Sequence, residues 1–174
     1  VNVVSPAGAK GIWQFMPDTA KEIGLEVNEN IDERYHLEKS TEAACAYFLK
    51  AKEKFGNWTL TAAAYNAGSN GIQKQLELQK VSNYYDLLLN DETSRYVFRI
   101  LALKQIMENP EQYGFPIRAD EQYRIVPTKK IAIDSTVNDL ADLAIKQGIN
   151  YKLLKIHNPW LRTSKILNPS NKKY

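Results

Sequence analysis

The stretch Ser5-Pro6-Ala7-Gly8-Ala9-Lys10-Gly11-Ile12-Trp13-Gln14-Phe15-Met16-Pro17-Asp18-Thr19-Ala20 concentrates two glycines, two prolines, a tryptophan, a glutamine and a methionine in sixteen residues. Small residues let a backbone approach another surface closely, and the Trp13-Gln14-Phe15-Met16 run sets one amide among flat and soft apolar groups. That mixture suits a wall that binds a sugar. Its end, from Pro17 to Gly24, reads as a short helix with proline in the first turn and glycine just past the last.

Outward from this stretch, helical period dominates as far as Pro110. Ser40 or Thr41 is the expected cap of a second helix, with Ala44, Phe48, Ala51 and Phe55 on one face and Gly56 as its stop. Asn57 or Thr59 opens a third through Ala62-Ala63-Ala64-Tyr65-Asn66, ended by Gly68. A weaker helix is expected from Ser69 or Asn70 to Leu78, and a short helical turn from Tyr84 to Leu89. Asp91 is the expected cap of the longest segment, with Tyr96, Ile100, Leu103 and Met107 as its inward stripe.

Beyond Pro116 the period changes. Tyr123-Arg124-Ile125-Val126 and Lys130-Ile131-Ala132-Ile133 read as short strands separated by Pro127. Thr136-Val137-Asn138-Asp139 resembles a capping arrangement for a helix carrying Leu140, Leu143 and Ala144 before Gly148. Asn150 caps a further helix through Leu153, Leu154 and Ile156, ending near Asn158-Pro159-Trp160, and Ile166-Leu167 follows as a last apolar pair. The expected organisation is a mainly α domain over 1–116 and a small α+β module over 117–174.

Composition sets the outer bounds. With 174 residues, 44% apolar and 25% charged, the chain has the make-up of an ordinary globular protein. No apolar run approaches a membrane span, and no signal-sequence pattern opens it, so export is not written in these residues. Residues 1–116 hold 12 basic against 15 acidic side chains, and residues 117–174 hold 11 against 5, which splits the net +3 into −3 and +6. The basic lysines are dispersed without the arginine and aromatic interleaving of a nucleic-acid surface, so no nucleic-acid partner is expected. Cys45 is the sole cysteine, which excludes an internal disulfide, and on an alanine-rich helix it reads as a core filler.

Chemistry narrows by exclusion. His36 and His157 stand far apart without cysteine or paired carboxylates, so neither a metal site nor a cofactor is expected. There is no nucleophile elbow, phosphate-binding glycine loop or histidine-centred triad. Carboxylates remain, because cleaving a glycosidic bond needs an acid held in a partly apolar pocket that raises its pKa. Asp18, Glu22 and Glu92 are better explained as helix-start and surface charges. Taken alone, Tyr65-Asn66-Ala67-Gly68 reads as a helix end and Tyr96 as a core residue.

Three motifs in order, Ser5-Pro6-x-Gly8-Ala9-x-Gly11-Ile12-Trp13-Gln14-Phe15-Met16-Pro17, then Ala63-Ala64-Tyr65-Asn66-Ala67-Gly68, then Glu92-Thr93-x-x-Tyr96-Val97, resemble the soluble lytic transglycosylase (SLT) domain family. Within it they are most similar to the membrane-bound lytic murein transglycosylase D group, over roughly residues 1–108. The resemblance implies a lysozyme-like helical domain with a groove for peptidoglycan glycan strands, working in the bacterial cell envelope, periplasmic or outer-membrane associated. It implies cleavage of the bond between N-acetylmuramic acid and N-acetylglucosamine without added water. One glutamate protonates the glycosidic oxygen and then helps the muramic 6-hydroxyl attack C1, giving a 1,6-anhydro product. The substrate's acetamido group assists, so a second carboxylate is not required.

Carried onto this sequence, the resemblance puts Gln14 and Met16 along the groove near the cleavage point. Gln14 offers amide donors and an acceptor to the sugar. Tyr65 and Asn66 stand on the opposite wall, Tyr96 brings its hydroxyl near the acid, and Ser5 and Gly11 support the loop, Gly11 through backbone fit. The family's catalytic glutamate belongs to a Glu-Ser pair that aligns upstream of Val1, and nothing in Val1-Asn2-Val3-Val4 replaces it. The chain is therefore expected to hold no catalytic acid and to be inactive alone, and any membrane association is expected to come from upstream sequence.

Residues Thr136 to Ala144, with Gly148-Ile149-Asn150, Leu153-Leu154 and His157-Asn158-Pro159-Trp160, resemble a divergent lysin motif (LysM), a βααβ module that binds N-acetylglucosamine-containing glycans. Its closing strand needs residues near or after Tyr174. The module reads either as a glycan binder or as a structural cap. For the whole chain, a non-catalytic peptidoglycan-binding or scaffold protein and a lysozyme-type hydrolase of the same fold stand as alternatives.

Overall fold

The computed structural model describes residues 2–174. The expected acid upstream of Val1, and Val1 itself, lie outside the described residues. The structure is mainly helical, with seven α-helices among the described residues: α1 (Pro17–Glu22), α2 (Leu37–Phe55), α3 (Trp58–Ala67), α4 (Ser69–Gln79), α5 (Asp91–Glu108), α6 (Leu140–Lys146) and α7 (Tyr151–His157). The chain divides into two compact units, one of Val1–Tyr47 with Lys129–Tyr174 and one of Phe48–Thr128, the division falling within α2.

In the first unit, Pro17 starts α1 and Gly24, at φ +88, turns the chain away after it. The helix α2 begins at Leu37, earlier than the expected cap at Ser40 or Thr41. The His36 imidazole accepts the Lys39 N–H at 3.4 Å, and the Ser40 and Thr41 hydroxyls donate back to the Leu37 carbonyl from inside the first turn. Ser40, Ala43 and Ala44 form the buried face of this part of α2. Cys45 lies one position round from Ala44 and is exposed, which corrects its reading as a core filler.

The C-terminal residues of this unit build their core on Leu140, Ala144, Leu154, Leu161 and Ile166, and Ile31 completes it at 1% exposure. Burial of a side chain that size contributes about 1.5–3 kcal/mol. The cap of α6 is Asp139, which accepts the Ala141 N–H at 2.7 Å, whereas Thr136 accepts the Asn168 N–H instead of opening the helix. Asn150 caps α7 as its position suggests, accepting the Leu153 N–H at 2.9 Å. Of the two expected strands, 123–126 does not form and, among the described residues, 130–133 pairs only at Ile133. Tyr123 and Ile125 are fully exposed, Pro127 removes a donor, and no backbone among the described residues pairs with 123–126. Among the described residues β structure is limited to isolated bridges, including Val137 with Ile166 and Ile31 with Leu161. The chain end does take part: Ile133 and Tyr174 exchange both backbone hydrogen bonds, at 2.9 and 2.8 Å.

In the second unit α3 packs on both α4 and α5. Its cap is Asn57, which accepts the Leu60 N–H at 2.9 Å, and its buried residues are Leu60, Thr61, Ala63 and Ala64. The side chains of Ala63 and Ala64 are small enough to let neighbouring helices come close. The cap of α5 is Asn90, one residue before the expected Asp91. The inward face of α5 is Thr93 and Val97, spaced one turn apart, and the expected stripe is corrected accordingly: Tyr96 is half-buried, while Ile100, Leu103 and Met107 are exposed.

Candidate functional site

Residues 3–16 fold into a loop held by its own backbone. The Ser5 hydroxyl and carbonyl accept the Ala9 and Gly8 N–H groups at 2.9 and 3.0 Å, Lys10 N–H donates to Phe15 O, and Gly11 N–H donates to Val3 O. Ser5 is thus a turn former. Gly11 is required sterically: it sits at φ +79, and a β-carbon there would meet the Arg34 carbonyl oxygen at 1.9 Å. Gln14 adopts φ +48, a region that costs a side-chain-bearing residue energy and is held here by the surroundings. Its Nε2 donates to Gly11 O at 2.6 Å and to Val3 O at 3.2 Å. Both amide donors are therefore used within the loop, leaving the carbonyl Oε1 as the group Gln14 can offer. Trp13 donates its indole N–H to the Thr41 hydroxyl at 2.9 Å, and Met16, three positions further on, is 43% exposed.

The loop rests on a buried ion pair that sequence reading passed over. Arg34 donates from Nε and Nη2 to the two Asp32 carboxylate oxygens at 2.8 Å each, and from Nη1 to the carbonyls of Gly8 and Phe15 at 3.2 and 3.0 Å. Both side chains are almost wholly buried. Burial alone would raise the Asp32 carboxyl, but the hydrogen bonds and charge of Arg34, with help from Lys10, hold it below its ordinary value. The only signal in the sequence is Asp-x-Arg at 32 and 34, which a solvated 3₁₀ turn would show equally.

In the second unit the structure brings Tyr65, Asn66 and Tyr96 together. The Tyr65 and Tyr96 rings lie 6.4 Å apart, Phe48 stands 5.0 Å from Tyr65, and the Asn66 Oδ1 accepts the Thr93 hydroxyl at 2.9 Å. Thr93 is fixed in turn by Tyr84, whose hydroxyl donates to the carbonyls of Thr93 and Ser94. Burial, with the Glu92 carboxylate adding, pushes the Tyr96 hydroxyl pKa up, so it remains a proton-bearing donor at neutral pH. Thr93 and Tyr84 are positioning residues that the motif reading did not name, although Thr93 lies within the third motif.

Three of the carboxylates, Glu92, Glu33 and Glu26, are each engaged by cations or hydrogen-bond donors. Glu92 is exposed and accepts from Arg99 Nη1 through both carboxylate oxygens, at 2.8 and 2.9 Å. Glu33 is buried but accepts from Lys39 and from the Glu26 N–H. Glu26, which burial would raise, is lowered by hydrogen bonds from Lys172 and Tyr174. A cavity of ≈ 420 Å³ in the first unit is lined by Glu33, Lys39 and Lys172 among others, and includes none of the expected site residues. Among the described residues no cluster of histidine, cysteine and carboxylate side chains could hold a metal, and no helix is long and apolar enough to cross a membrane.

Comparison with known proteins adds three findings. Residues 1–88 match the family described as Transglycosylase SLT domain, and residues 129–174 match the Soluble lytic transglycosylase C-terminal LysM-like domain. Tyr96 lies outside both matched segments. Among curated proteins, the chain is 31% identical over 170 residues to "Membrane-bound lytic murein transglycosylase D" of Escherichia coli K12, and equally to the protein of that name from Escherichia coli O6:H1. The alignment covers 95% of this chain, which spans about 37% of the length of those relatives.

Proposed function

The chain belongs to the transglycosylase SLT domain family, and from that premise we propose that it is the glycan-holding part of a peptidoglycan lytic transglycosylase of the bacterial envelope. The observation that carries this reading is the 3–16 loop, which fixes Gln14 in a left-handed conformation and spends its amide N–H groups internally. Gln14 then presents Oε1 as an acceptor for a sugar hydroxyl or acetamido N–H, and the exposed Met16, two positions on, offers a soft apolar surface. In the other unit, Tyr65 and Tyr96 supply ring faces and Asn66, oriented by Thr93, supplies an amide. In this reading the helical part takes the lysozyme-like form and the C-terminal module the βααβ form, for which the Ile133–Tyr174 and Val137–Ile166 pairings speak.

The proposed reaction breaks the bond between the muramic acid C1 and the glycosidic oxygen. A glutamate outside residues 2–174 donates its proton to the departing oxygen and, as a carboxylate, takes the proton from the muramic 6-hydroxyl as that oxygen bonds to C1. The result is a 1,6-anhydro sugar and a free N-acetylglucosamine hydroxyl, with no water consumed. Asp32 and Glu26, both held below their ordinary values by their partners, are poor donors of that proton. The same feature favours, as a second reading, a glycan-binding protein without catalysis.

The binding half is tested by co-sedimentation of the 174-residue chain with purified peptidoglycan sacculi. The wild type is expected to pellet and Gln14→Leu, which removes the whole amide, both Oε1 and the Nε2 donors to Val3 O and Gly11 O, to pellet less. Equal pelleting of the two overturns the role of Gln14, and no pelleting at all overturns glycan binding by this chain.

A further inference from the structure

Segment 30–35 is the seam between the candidate loop and the C-terminal module, all within the first unit. On one side it holds the loop: Arg34 donates to the Gly8 and Phe15 carbonyls, and Gly11 lies against the Arg34 carbonyl. On the other it holds the module. Asp32 N–H donates to Trp160 O at 2.9 Å, Arg162 N–H donates to Asn30 O at 2.8 Å, and the Thr163 hydroxyl donates to Asn30 Oδ1 at 3.0 Å. Ile31 fills the module's core. The Tyr35 ring is shared, with Lys10 Nζ from the loop 5.7 Å from its centroid and the Arg162 guanidinium from the module 4.4 Å away.

Asp32 therefore carries a module contact on its backbone and the loop's anchoring arginine on its side chain. A buried ion pair tolerates displacement poorly, because each desolvated charge depends on the other staying in place. Moving the Asp32 backbone away from Trp160 moves the carboxylate that orients Arg34, and with it the donors on the loop carbonyls.

We propose that docking of the C-terminal module holds the 3–16 loop in its ligand-ready shape through Asp32 and Arg34, so that the module acts on the candidate site as a brace. The consequence for glycan binding rests on the reading of that loop given above. Asp32 and Arg34 are positioning residues, and the two ends of the coupling bias one another equally.

The test is amide hydrogen exchange on the 174-residue chain carrying Arg162→Gln with Thr163→Val, two side chains on the module face of the seam. The amides of Asp32 and Arg162 report docking directly. As they open, the loop amides of Gly8, Lys10 and Gly11 are expected to exchange at least about fivefold faster while those of α7 keep their protection, and sacculus pelleting is expected to weaken by a similar factor. Arg162→Lys with Thr163 intact, which keeps a cation over Tyr35, is expected to restore both. Ile31→Ala is the second variant if the first leaves Asp32 and Arg162 protected. Loop amides that stay protected while Asp32 and Arg162 open overturn the brace, as does uniform acceleration of every amide, which would be plain loss of stability. A wild type that fails to pellet while its loop still responds sinks the glycan reading and leaves the brace standing.

Discussion

The backbone of Gly11 lies against the carbonyl of Arg34 so closely that a β-carbon would stand 1.9 Å from that oxygen. Since the neighbour is backbone, it cannot swing aside, and φ +79 adds strain for any other residue. Gly11→Ala is expected to cost about 1–3 kcal/mol, as overpacking does. Urea unfolding measures it, and Gly8→Ala, whose added β-carbon would meet nothing within 4 Å, is the comparison that carries backbone strain alone.

Asp32→Ala leaves Arg34 buried and unpaired, for which the expected loss is about 3–5 kcal/mol. Asp32 also sets an acid limit. Its folded pKa is lowered, so its contribution is complete above the ordinary carboxylate value of 3.8 and disappears as pH falls through the folded value. Acid unfolding of the wild type should therefore be steeper than that of Asp32→Asn, followed by circular dichroism.

His36 gives the opposite residue type with the same sign. Its imidazole is stacked on Trp160 with centroids 5.7 Å apart, and burial, with Lys39 adding and Glu38 and Glu33 opposing, lowers its pKa from the ordinary 6.5. As pH falls below 6.5 the unfolded chain binds the proton before the folded one does, so stability declines until the folded imidazole is protonated too. His36→Gln is expected to flatten the decline in stability as pH falls below 6.5. An unchanged slope would contradict the assignment.

Thr93→Val removes the hydroxyl that donates to Asn66 and keeps the shape of the side chain. Leaving a buried or half-buried acceptor without its donor costs about 1–3 kcal/mol. Asn66 then loses its fixed orientation, and weaker pelleting on sacculi is expected at a protein concentration where the variant is fully folded.

Much of the helical framework was legible because its signals are local. Asn57 and Asn150 cap the helices they precede, Pro17 starts α1, and Gly24, Gly56, Gly68 and Gly148 stand where helices stop. Caps and stops act within about one turn, so a single sequence carries them. The errors came where distant chain decides. Tyr123 to Val126 has the composition of a strand but no partner, and the Ile100, Leu103 and Met107 stripe has helical period but no covering neighbour among the described residues. Ile31 in the core of residues 133–174 is a contact across more than a hundred positions, which no periodicity announces. For the candidate site, the motifs picked out Gln14, Tyr65, Asn66 and Tyr96 as chemistry, whereas Asp32, Arg34 and Tyr84, which hold their surroundings in place, have the residue types of ordinary surface and core.

Lytic transglycosylation and hydrolysis leave different sugar ends, so product analysis separates them. A variant with a Glu-Ser-bearing segment joined ahead of Val1 is incubated with purified sacculi, and the released muropeptides are weighed by mass spectrometry. Muramic acid ends in the 1,6-anhydro form, lighter by one water than reducing ends, are expected from the extended protein, with no release by the 174-residue chain alone. Reducing ends from the extended protein, or turnover by residues 1–174 without it, would contradict the proposed reaction.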